Sequence, residues 1–251
     1  MKAIEYGKEN PEVILLLHGG GLSWWNYRKE AELLKDTYHV VLPILDGHAG
    51  SDAPFLSIEK NAAELIAYID TNFHGTVLAI GGLSLGAQIL AEMFSQRKDI
   101  CHYAIIESAL TVPMRMTADM IGPMLSFSYG LIKQKWFAKL QFRSLKIQPA
   151  LFEEYYRDTC LIHKEDMIRF LQANSSYTAK LSLVNTSAET MILVGSKEQG
   201  KMKRSAEILH AMIPASTYKV LAGYCHGELS LNHPQEYTEL LQRFLAGDEI
   251  H

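Results

Sequence analysis

Short apolar runs alternate along the chain with longer stretches whose apolar residues recur at helical spacing. Runs at residues 13–17, 38–44, 77–80, 103–106, 191–194 and 218–221 have strand length and are rich in Val, Ile and Leu. Where such a run is apolar at nearly every position, it suits a strand covered on both faces, as in a parallel sheet. Between the runs, residues 24–35, a stretch opening at Ser57, and residues 87–96, 202–212 and 234–245 read as helices. The stretch after Ser57 carries Ala62, Leu65, Ile66 and Ile69 on one face behind a serine suited to cap it. Strand and helix in regular succession imply right-handed crossovers. The expected fold class is therefore α/β, a mostly parallel, doubly wound sheet with helices on both faces.

That succession breaks between residues 111 and 184. The pattern there is helical, over 114–131, 136–145, 149–159 and 164–173, with Pro113, Gly122-Pro123 and Pro149 as punctuation. The expected organisation is a body formed by residues 1–110 and 185–251, interrupted by a helical cap at 111–184.

Composition narrows the function classes. Of 251 residues 48% are apolar and 21% charged, which excludes extensive disorder. The net charge is −4 with the bases scattered, so no nucleic-acid footprint stands out. Residues 1–10 lack the apolar core of a secretion signal, and no apolar run approaches the length of a membrane span. These features point to the cytoplasm and to neither nucleic acid nor membrane as a partner; a monomer and a homodimer are both open. Cys101, Cys160 and Cys225 are odd in number and lack CxxC spacing, which argues for free thiols rather than a disulfide framework or a zinc site. Cys225, beside His226, reads as a small residue packed at a strand end.

The distinctive polar clusters each follow one of the expected strands. Gly82-Leu83-Ser84-Leu85-Gly86 sits where the run at 77–80 turns into a helix, so the serine projects from a tight turn and faces the positive end of the helix dipole. His18-Gly19-Gly20-Gly21 follows the run at 13–17, and three successive glycines suggest backbone that approaches a ligand closely. Gly195 to Gly200 follows the penultimate strand and Gly223-Tyr224-Cys225-His226-Gly227 the last.

In this order the clusters resemble the oxyanion loop, nucleophile, acid and base of the α/β-hydrolase superfamily, specifically a small serine esterase-like member with a helical cap. Asp46-Gly47-His48-Ala49-Gly50-Ser51 is similar to a further loop of that family. The resemblance covers nearly all of the chain and implies Ser84 as nucleophile, His226 as base, and the N–H groups of Leu85 and Gly20 as oxyanion donors. It implies an acid three residues after Gly195, which is Glu198 where the family usually has aspartate. Some members carry the acid after the preceding strand, and Glu107 holds that place as the alternative. His18 and His48 are expected to organise their loops, and the remaining histidines, His251 among them, to be solvated or structural.

The implied reaction is hydrolysis of a carboxylic ester or thioester of a small, largely apolar acyl substrate through an acyl-enzyme, with no metal or organic cofactor. A carbon–carbon bond hydrolase or a menaquinone-type synthase would use the same residues. An aminopeptidase would add cap acids, for which Glu153, Glu154, Glu165 and Asp166 are available, and a non-catalytic ligand-binding protein is a further alternative. Trp24, Met114 and Met124 are expected at the substrate pocket. Lys133, Lys135, Lys139, Arg143 and Lys146 read as a solvated basic face that could attract an anionic substrate.

Overall fold

The computed structural model describes residues 1–248; His251 lies outside them. Seven strands, β1 (Ala3–Tyr6), β2 (Val13–Leu17), β3 (His39–Pro43), β4 (Val77–Leu83), β5 (Cys101–Glu107), β6 (Glu189–Gly195) and β7 (Ser216–Leu221), form one sheet in the order β1-β3-β2-β4-β5-β6-β7. All pairings are parallel except that of β1 with β3. The fold is thus the mostly parallel, doubly wound sheet expected of an α/β hydrolase. β1 was not foreseen: a four-residue antiparallel edge strand with half-buried side chains carries too little apolar pattern to stand out.

Body helices α1 (Arg28–Leu34), α2 (Ile58–Phe73) and α3 (Leu85–Gln96) connect the first five strands. α2 begins where Ser57 Oγ accepts the Lys60 N–H at 3.1 Å, and it ends in a left-handed turn at His74. Between β5 and β6 lie α4 (Arg115–Ile132), α5 (Lys135–Leu145), α6 (Phe152–Leu161) and α7 (Lys164–Ser176), the helices foreseen in residues 111–184. Pro123 stands inside α4 rather than ending it. The chain then closes with α8 (Gly200–Met212), a short α9 (Glu228–Asn232) and α10 (Pro234–Leu245).

The two faces of the sheet are read directly from β2. Leu15 and Leu17 join a core with Leu65, Ile69 and Leu90 of α2 and α3, while Ile14 and Leu16 join another with Leu34 of α1 and Tyr237, Leu241 and Phe244 of α10. Each fully buried Leu or Ile here adds about 1.5–3 kcal/mol relative to exposure. Burial on both sides fixes the strand register, and with it the side by side placement of the carboxyl ends of β2, β4, β5, β6 and β7.

Candidate active site

Ser84 occupies the turn between β4 and α3 with φ 53° and ψ −110°, a region that non-glycine residues rarely enter. Its N–H donates to the Glu107 carbonyl at 2.9 Å and its carbonyl accepts from the Gln88 N–H at 2.9 Å, so both sides of the residue are pinned. The flanking glycines are required by contact. A Cβ on Gly86 would stand 2.2 Å from the Leu17 carbonyl oxygen, and one on Gly82 would stand 2.7 Å from the backbone of Gly86. The turn therefore closes only with glycine at both places.

His226, on the loop after β7, bonds through Nε2 to Ser84 Oγ at 3.0 Å and through Nδ1 to Glu198 Oε2 at 2.8 Å. Glu198 Oε1 accepts the Gly195 N–H at 2.7 Å and the Ser108 hydroxyl at 2.8 Å. Burial acts to raise the Glu198 pKa, but the bond and charge of His226 together with these two donors outweigh it, and the carboxyl lies below its ordinary value. Since the carboxylate is acceptor-only, Nδ1 carries the proton and Nε2 is left to accept from Ser84. An imidazole held in this way can take a serine proton as the oxygen attacks a carbonyl.

Glu107 makes no such contact. It is buried at the end of β5, where Oε1 accepts the Ser230 N–H at 3.4 Å and Oε2 has no hydrogen-bond partner among the described residues. Burial, reinforced by the nearby Glu198 charge, raises its pKa to about 7. Ser108, the next residue, is the one sequence reasoning passed over. Its hydroxyl donates to Glu198 and accepts the Gly227 N–H at 3.2 Å, tying the acid to the histidine loop. The signal was only its place beside a strand-end glutamate.

The glycine loop is held by two neutral histidines. Burial lowers His18 to about 3 and His48 to about 4. His18 Nδ1 donates to the Gly19 carbonyl at 2.9 Å and Nε2 accepts the Leu45 N–H at 3.1 Å. His48 Nδ1 donates to the Asp46 carbonyl at 3.0 Å and Nε2 accepts the Gly21 N–H at 3.1 Å. The Gly19 N–H goes to Asn26 Oδ1. No hydrogen-bond acceptor for the N–H groups of Gly20 and Leu85 is present among the described residues. The two residues are adjacent, since a Cβ on Gly20 would lie 3.5 Å from that of Leu85. Two such donors at the head of α3 suit a developing negative charge.

Ser84, His226 and Glu198 open into a cavity of about 540 Å³. Its walls are mostly apolar, with Leu22, Leu83 and Leu231 from the body and Met114, Ile147 and Phe170 from the inserted stretch; Lys146, Lys197 and Asn174 also line it. Met114 is thus at the cavity, but Trp24 and Met124 are not. Trp24 lies half-buried beneath the Arg28 guanidinium, and Met124 points outward from α4. Helical spacing told which faces were apolar, not which neighbour covers them. Cys225 lines the cavity with its Sγ 3.1 Å from Lys146 Nζ, rather than packing in the core. Glu153 pairs with Lys135, Glu154 with Arg28, and Asp166 accepts the Phe55 N–H; neither they nor Glu165 reach the cavity. No group of side chains suited to a metal ion occurs among the described residues.

A model of the alpha/beta hydrolase family matches residues 14–240. No curated protein matches the sequence. Among solved structures, the enol-lactonase from Burkholderia xenovorans LB400 superposes with a TM-score of 0.81 at 15% identity, over 98% of this chain and 96% of that one. A thermophilic esterase from Thermogutta terrifontis gives 0.78 at 17% identity, over 98% and 93%. MenH from S. aureus gives 0.77 at 17%, over 98% and 97%. At these identities the likeness is one of fold.

Proposed function

The chain belongs to the alpha/beta hydrolase family, and from that premise we propose that it is a serine hydrolase cleaving a carboxylic ester or thioester through an acyl-enzyme. The observation that carries the reading is the continuous hydrogen-bonded chain from Ser84 Oγ through His226 to Glu198. Ser84 attacks the carbonyl carbon as its proton passes to His226 Nε2. The oxyanion is met by the Leu85 and Gly20 N–H groups, a contribution of about 3 kcal/mol per donor in comparable sites. His226 then protonates the leaving alcohol or thiol, and water deprotonated by the same nitrogen releases the acid. Glu198 orients the imidazole and stabilises the imidazolium.

The helices α4 to α7 serve as the cap in this reading, because residues from this stretch complete the apolar wall. A chamber of this size and lining suits a small apolar acyl group. With no carboxylate among the described residues at the cavity other than Glu198, which is engaged by His226, the aminopeptidase alternative lacks a group to hold a substrate ammonium. The free thiols fit a reducing cytoplasm.

A fluorophosphonate probe read by intact mass tests the reading. One equivalent should add to the wild type and none to Ser84→Ala, and p-nitrophenyl esters of graded chain length should then define the acyl preference. A folded wild type that takes up no probe would point instead to a non-catalytic ligand-binding protein.

A further inference from the structure

The inserted helices turn a second apolar face outward. Along α4, Met116, Met120, Met124, Phe127 and Leu131 are all exposed, with Met116 at 85% and Phe127 at 90%. At 3.6 residues per turn these five fall within about 80° of arc. The helix buries another side, that of Ala118, Ile121, Leu125 and Ile132, against the protein. On the neighbouring α5, Trp136 and Leu140 are likewise exposed while Ala138 and Phe142 are buried. An apolar stripe of this length on an outward face is more than scattered surface hydrophobes and marks an interaction site.

Charge identifies what covers it. Residues 115–146 hold six cations, Arg115, Lys133, Lys135, Lys139, Arg143 and Lys146, against the single acid Asp119, in a chain whose net charge is −4. Among the described residues only Lys135 of these six meets a carboxylate, that of Glu153 on α6. Bulky apolar and aromatic residues flanked by lysine and arginine on a helical pair are the composition of a segment that lies in the headgroup region of a bilayer. A second copy of the chain docked face to face would oppose these cations to one another, whereas an anionic bilayer receives both the apolar stripe and the charge. We propose that the α4–α5 face is a docking site for an anionic phospholipid surface.

No helix among the described residues is long and apolar enough to cross a membrane, so the contact is peripheral. The expectation of no membrane partner rested on spans alone, and docking needs none. The C-terminal end of α5 leads into Leu145 and Lys146, which line the cavity. Where the serine hydrolase reading also holds, docking brings that rim to an ester dissolved in the bilayer; the binding measurement itself does not depend on that reading.

Flotation of the full chain with vesicles of phosphatidylcholine alone, and of equimolar phosphatidylcholine and phosphatidylglycerol, tests the proposal. Binding is expected to the anionic vesicles, to weaken with salt, and to fall about fivefold for each of Lys133→Gln and Lys139→Gln. Phe127→Asp should abolish it with the thermal transition unchanged. On the vesicles the emission of Trp136 should shift to the blue, and Trp136→Phe should bind yet lack that shift. Failure of the wild type to float with anionic vesicles at low salt would overturn the proposal. So would binding that Phe127→Asp leaves intact. A wild-type dimer that ignores vesicles and becomes monomeric in Phe127→Asp would overturn it in favour of a second copy.

Discussion

Two glutamates stand near the same histidine, and their surroundings give them opposite electrostatic histories. Glu198 is held below its ordinary pKa by His226, Gly195 and Ser108 despite its burial, whereas burial lifts Glu107 to about 7. Glu198→Gln should therefore read out in rate, with kcat toward a p-nitrophenyl ester falling about ten-thousandfold because the amide no longer enforces the proton on Nδ1. Full activity in that variant together with loss in Glu107→Gln would reverse the assignment. Glu107→Gln should read out in stability instead. Below pH 4.5 both folded and unfolded states hold the Glu107 proton and its contribution is complete. As the pH rises towards 7 only the unfolded state releases the proton, so stability falls by about 1.4 kcal/mol per unit. Denaturant unfolding at pH 5 and pH 8 should show the wild type losing about 2.5 kcal/mol through this group over the interval, and Glu107→Gln losing none of it. Sequence order alone left both glutamates eligible, because it places each at a strand end without saying which side chain turns toward the histidine loop.

The turn from β4 into α3 shows why some elements were legible before any coordinates and others were not. Gly82 and Gly86 announce themselves because backbone contacts admit no other residues: the nearest atoms to an added Cβ are backbone, which cannot swing aside. The branched runs were legible for a related reason, since a strand covered on both faces must be apolar throughout. β1 and α9 are short and half-dependent on their neighbours, so their own residues carried no period to detect. Ser108 escaped because one hydroxyl has no pattern at all. The contrast predicts a pair of glycine variants. Gly86→Ala should cost about 3 kcal/mol or misfold, since its Cβ would meet the Leu17 carbonyl at 2.2 Å. Gly130→Ala, in the last turns of α4 with nothing within 4 Å of its Cβ, should raise stability by about 1 kcal/mol. Thermal melts of the two proteins check both signs.

At the scale of the molecule, the cavity exists only because the inserted helices are fastened to the body at several separate points. Trp25 Nε1 donates to Asp158 Oδ2 at 2.8 Å, the Phe55 N–H donates to Asp166 Oδ1 at 2.9 Å, Arg28 pairs with Glu154, and Gln88 Nε2 donates to the Asn174 carbonyl. The Trp25 and Phe55 bonds are buried and join residues more than a hundred positions apart, which is why no local pattern disclosed them. Trp25 is buried in the core, where its indole ties down α6. Asp158→Ala removes the acceptor and leaves a buried indole N–H without a partner, at a cost of about 2 kcal/mol. Because the loss falls on one fastening rather than on the sheet, hydrogen exchange should quicken across α6 and α7 while the amides of β2, β4 and β5 keep their protection. Ser84, His226 and Glu198 all belong to the body, so kcat should change little while KM rises as the apolar wall loosens. Uniform loss of protection throughout the sheet would instead mean that the inserted helices and the body unfold as one unit.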